Sequence, residues 1–123
     1  MFQKNLQLFL SALVVVGAAL FYGGSPDNFL PLLFDFGTQN TDLRNILRAI
    51  MGLYLAFAGF WMYALFRPAY WRAATLSNAL FMGGLGFGRL LSFFLDGYSN
   101  VYFPGMLLEF GMMFWAVLNL KKA

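Results

Sequence analysis

The sequence predicts an all-α membrane protein: a four-transmembrane-helix bundle with a short interfacial segment in its first extracytoplasmic loop. Composition is the first reason, because the 123 residues are 61% hydrophobic and only 11% charged, against roughly 25% charged in soluble domains. The second is that the apolar residues gather into four nearly uncharged runs of spanning length. The third is that Lys and Arg crowd onto one side of those runs, as they do on a cytoplasmic face. A soluble fold this short could not cover so much apolar surface, so residues 1–123 read as a single transmembrane domain.

The first helix is expected at about residues 5–22 and carries LQLFLSALVVVGAALFY. Lys4 ahead of an apolar run resembles a secretory leader, but aromatic Phe21 and Tyr22 follow, and an uncleaved span is the better reading. Loop one, residues 23–42, reads GGSPDNFLPLLFDFGTQNTD and is too apolar for a solvated linker. Ser25 and Pro26 look like a helix cap and a first-position proline, while Pro31 should end any helix started there. A short helical turn on the membrane surface is expected, with Phe29, Leu32, Leu33, Phe34 and Phe36 dipping into lipid or capping the bundle.

The second helix is expected at about residues 43–66, capped by Asn40 or Thr41 with Asp42 in its first turn. The third should cover about 73–95 and the fourth about 105–120, the fourth with room to begin a turn earlier. Each run is ~16–24 residues, or ~24–36 Å of helix, enough for ~30 Å of hydrocarbon. Four spans put Lys4, Arg67, Arg72, Lys121 and Lys122 on one side, and Asp27, Asp35, Asp42 and Asp96 on the other with Arg44. Both termini should therefore be cytoplasmic. Tyr63, Tyr70 and Trp71 would mark the inner interface, and Tyr22, Tyr98 and Tyr102 the outer one.

Several chemistries are excluded at once. With no Cys and no His, disulfides, thiolate reactions, Cys/His metal sites, haem ligation and Ser-His triads all fall away. No metal or cofactor is expected. A net charge of +3, split between loops, gives no reason to expect nucleic acid.

The informative residues are the charges inside apolar runs: Arg48, Arg89 and Glu109. Counted from the outer ends of their helices, all three lie roughly 6–10 Å beneath the outer interface. A charge in hydrocarbon costs at least ~2.5 kcal/mol unless it is paired or wetted, so three at one level predict a single polar cluster facing protein. Helical spacing adds Arg44, Ser92, Asp96 and Asp42 to it. The cluster is an internal ionic lock or a ligand site, and the excess of guanidinium over carboxylate favours an anionic ligand. The remaining inner halves of the spans read as dry. Gly84 and Gly88 form a small-xxx-small pattern, and Gly52 starts another small-residue face with Ala56 and Gly59, all expected to serve helix packing.

Residues 42–54 (DLRNILRAIMGLY), 83–92 (GGLGFGRLLS), Asp96-Gly97 and Glu109 together resemble small bacterial four-helix membrane proteins grouped as domain of unknown function 4345. The likeness spans nearly the whole chain. Its motif residues here are Arg48, Gly52, Gly84, Arg89, Ser92, Asp96 and Glu109. The resemblance implies a four-helix fold in a bacterial inner membrane, and no established reaction.

The expected function is non-enzymatic: a homo-oligomeric inner-membrane protein, trimer favoured over dimer, engaging acidic lipid or another anionic amphiphile in support of envelope or lipid homeostasis. A short bundle has little interior, and small-residue faces are easily satisfied between protomers. A small transporter or ion pathway is the alternative, disfavoured by the dry inner halves. A headgroup enzyme using Glu109 and Asp96 as acid and base is the third.

Overall fold

The computed structural model describes residues 2–34 and 40–123. Asp35 and Phe36, with the side chains of Lys4, Asp27 and Leu33, lie outside the described residues. Helix α1 runs Phe2–Gly23, α2 Pro26–Leu33 and α3 Thr41–Phe66; a 3-10 turn at Pro68–Tyr70 leads into α4 Trp71–Asp96, and α5 covers Tyr102–Lys122. Four of these helices are long and apolar enough to cross a membrane.

Local chemistry sets the ends. Asn40 Oδ1 accepts from the Asp42 and Leu43 amides at 2.8 and 3.4 Å, satisfying two orphan donors of α3. Gly97 ends α4 because its φ of 107° suits a residue without Cβ. Ser99 starts α5 early: its Oγ accepts from Tyr102 N at 3.2 Å and its carbonyl from Phe103 N at 3.0 Å. Pro104 then sits in the first turn, where its missing N–H costs nothing.

Loop one departs from expectation at Pro31. Pro26 opens α2 as predicted, yet the helix continues through Pro31 to Leu33 and closes with Phe34 N donating to Leu30 O at 2.9 Å. Packing offsets the one backbone bond that Pro31 cannot make. Leu30 is almost fully buried, and Phe21 stacks near Phe29 and meets Phe34 edge-on.

The bundle is two antiparallel helix pairs, α1 with α3 and α4 with α5, joined along a thinner seam. At mid-height the seam is aromatic, with Phe81 of α4 against Tyr54, Phe57 and Trp61 of α3 at 5.0–5.2 Å between ring centroids. Trp61 Nε1 donates to Ser77 Oγ at 3.0 Å, and that hydroxyl donates to Ala74 O at 2.7 Å. We call the end holding α2 and the α4–α5 loop the α2 end, and the other the terminal end.

Close packing within the chain falls to different glycines than expected. A Cβ on Gly86 would lie 2.8 Å from the Phe110 ring, and one on Gly83 2.7 Å from Met113 Sδ. Gly52, Gly84 and Gly88 would meet nothing within 4 Å. The 100° turn between successive helical residues explains the correction: α4 aims positions 83 and 86 at α5, so positions 84 and 88 face outward.

Candidate functional site

Arg89 of α4 and Glu109 of α5 face each other near the α2 end. Arg89 Nε donates to Glu109 Oε1 at 2.6 Å and Nη2 to Oε2 at 3.1 Å, a bidentate pair. Glu109 is 8% exposed. The Arg89 guanidinium carbon also lies 4.3 Å from the centroid of the Tyr102 ring, a cation–π contact. Tyr22 of α1 donates its hydroxyl hydrogen to Tyr102 Oη at 2.7 Å. Tyr54 of α3 meets Tyr22 edge-on at 6.2 Å, and Phe34 stacks with Tyr102 at 5.2 Å. Every spanning helix therefore reaches this point.

The pair stands between two cavities. A groove of about 440 Å³ runs between α4 and α5, with Arg89, Ser92, Ser99 and Tyr102 at its polar end and Leu85 and Met106 deeper in. Gly84 and Gly88 floor it, so the open space beside them is the groove itself. A smaller chamber of about 180 Å³ lies on the other side, lined by Val15, Ala18, Tyr22, Tyr54, Met82 and Glu109 among others. Arg89 lines both cavities and Glu109 only the chamber. Among the described residues the groove lining thus carries a cation and no carboxylate.

The predicted cluster divides. Arg48 does not join the pair but donates through Nη1 to Gly23 O at 2.6 Å and Gly24 O at 3.2 Å. The last carbonyls of a helix lack partners and carry its negative dipole end, so a cation from α3 settles there. Equal depth placed these charges at one level without saying which way each points. Asp96 accepts from Ser92 Oγ at 2.7 Å at the exposed end of α4 instead of folding inward. Asp42 is exposed in the first turn of α3, and Arg44 follows it with its backbone amide bonded to Asn40 O at 3.1 Å. Among the described residues no group of three His, Cys, Asp or Glu could hold a metal.

Two features were missed in the sequence. Tyr102 and Tyr22, assigned to the interface, belong to the site; Tyr102 and Glu109 are i,i+7 and share the inward face of α5, which was the available signal. The terminal-end half of the bundle is also not dry. Gln7 Nε2 donates to Asn78 Oδ1 at 2.8 Å, Ser11 Oγ at 3.1 Å and Met112 O at 3.3 Å, and Gln7, Ser11, Thr75 and Asn78 are each 0% exposed.

Four apolar helices closed around an interior ion pair define a multi-pass integral membrane protein. The chain belongs to the family described as domain of unknown function DUF4345, whose model matches residues 4–120. No curated protein and no solved structure matches it.

Proposed function

We propose that this is a non-enzymatic inner-membrane protein that holds an acidic lipid, or a similar anionic amphiphile, in the groove between α4 and α5, in support of lipid or envelope homeostasis. One observation carries the reading: a groove of about 440 Å³ whose sole charged lining residue, among the described residues, is Arg89. Glu109 takes two of the five N–H donors a guanidinium owns, and an anion at the groove end can approach the same cation from the other side. Ser99 adds a hydroxyl there, the Ser92 hydrogen being already given to Asp96, and Leu85, Phe103 and Met106 offer an apolar bed for a chain. The preference for an anion rests on Arg89 alone and not on a pair of arginines, because Arg48 is turned to the carbonyls ending α1.

Gly88→Leu tests this without touching the ion pair, because its side chain would fill open groove. Native mass spectrometry from nanodiscs of mixed phosphatidylglycerol and phosphatidylcholine should find phosphatidylglycerol on the parent protein and little on Gly88→Leu. Gly59→Leu, on an open face of α3, should keep it. Equal retention in both variants would rule the groove out. The same spectra read stoichiometry, for which a trimer is proposed; outward-facing Gly52, Ala56 and Gly59 on α3 leave room for a neighbour.

The distribution of Lys and Arg supports both termini in the cytoplasm. Reporter fusions at Ala123 and at Asn100 should read opposite compartments, the first cytoplasmic; matching compartments would overturn the orientation and the outer-leaflet placement of the groove. A small transporter or ion pathway is the second reading, favoured by the chamber of about 180 Å³ behind the ion pair.

A further inference from the structure

The interior of the terminal-end half holds more polar atoms than its own bonds satisfy. Gln7 Oε1, Thr75 Oγ1, Asn78 Nδ2 and Asn119 Nδ2 are buried and have no hydrogen-bond partner among the described residues. Helical spacing collects them. Thr75 and Asn78 are i,i+3 on α4, and Met112, Ala116 and Asn119 follow one buried face of α5. The register that sets Gly86 against Phe110 and Gly83 against Met113 carries Asn119 to the level of Thr75 and Asn78. Ala12, Ala74 and Ala116, each at most 1% exposed, are the small buried side chains nearby.

Turning the Gln7 amide over does not relieve the deficit. Its Nε2 faces three acceptors, and one of them, the Met112 carbonyl, can only accept. Oε1 must then point away and wait for a donor. Asn78 Oδ1 is taken by Gln7, which fixes Asn78 Nδ2 as a donor in search of an acceptor. The unmet set is therefore one amide acceptor, two amide donors and a hydroxyl that can do either. Leaving such groups bare in an apolar interior costs ~1–3 kcal/mol each, whereas a water molecule offers two donors and two acceptors and usually makes ~3 bonds when buried.

We propose that this level of the bundle is an internal water-binding site, in which bound water receives from Asn78 and Asn119 and donates to Gln7, with the Thr75 hydroxyl completing its shell. The site lies in the opposite half of the bundle from the groove and does not depend on it. Val15 and Met82, one turn from Ser11 and Asn78, line the chamber that Glu109 also lines.

Thr75→Val decides the matter because the two side chains have the same shape. If water uses the hydroxyl, the variant strands that water and its thermal midpoint falls by several degrees in nanodiscs. If nothing uses it, removing a bare polar group leaves the midpoint unchanged or raises it, and the proposal is overturned. Water-to-protein magnetisation transfer in the unsubstituted protein gives an independent reading. Cross-peaks from water to the Asn78 side-chain amide are expected, and their absence, with the exposed Asn28 amide as the positive control, would also overturn the site.

Discussion

Glu109→Gln should destabilise this protein more than any other single change to a polar side chain. The substitution keeps the shape of the side chain but leaves the partly buried Arg89 beside a neutral amide, and a guanidinium cannot shed its charge. Breaking a buried pair costs ~3–5 kcal/mol in soluble interiors, and polar contacts between membrane helices average nearer ~0.6 kcal/mol. The loss should fall between these limits. Arg89→Met should also destabilise, because it leaves the Glu109 carboxylate without its bidentate partner. Combining Arg89→Met with Glu109→Gln should recover part of the loss, since it removes both charges together. Unfolding in detergent across the three variants checks this, and a double variant no more stable than Glu109→Gln would mean that the two residues are not an energetic unit.

Gly86→Ala should be the costliest of the glycine substitutions in α4. The added Cβ would stand 2.8–3.0 Å from three atoms of the Phe110 ring, and that ring is braced edge-on by Phe87 at 5.2 Å. Overpacking of this kind costs ~1–3 kcal/mol. Gly83→Ala meets the end of the flexible Met113 side chain and should cost less. Gly84→Ala enters open space and should stabilise slightly, by up to ~1 kcal/mol of helix propensity. Thermal midpoints should rank Gly84→Ala above Gly83→Ala above Gly86→Ala. Equal effects at 84 and 86 would contradict the rotation of α4 described above.

The helices, their approximate limits, the Asn40 cap and the surface segment were legible because hydropathy and capping are local properties. The depths of Arg89 and Glu109 were legible too, since helical rise converts residue number into height. Which charge pairs with which was not. Arg48 sits at a suitable height but on α3, where the nearest unmet acceptors are the carbonyls ending α1. That choice depends on how each helix is rotated, and apolar residues on nearly every side of a membrane helix leave rotation weakly encoded. The same limit hid which glycines of α4 face α5. Gln7 and Asn78 went unread for another reason: isolated amides barely lower the hydropathy of a span, and only their meeting across α1 and α4 makes them a feature.

The Arg89–Glu109 bond joins α4 to α5 and lies wholly within one helix pair. Among the described residues, the Tyr22–Tyr102 contact, the Gln7 bonds and the Ser11 Oγ–Met112 Sδ contact reach from α1 into α4 and α5. During biogenesis the two opposite charges can therefore cancel as soon as a single hairpin enters the bilayer, before α1 and α3 dock against it. The charges in the hairpin's interior arrive already paired, and the tyrosine and glutamine clasps are left to close afterwards as the two halves find each other.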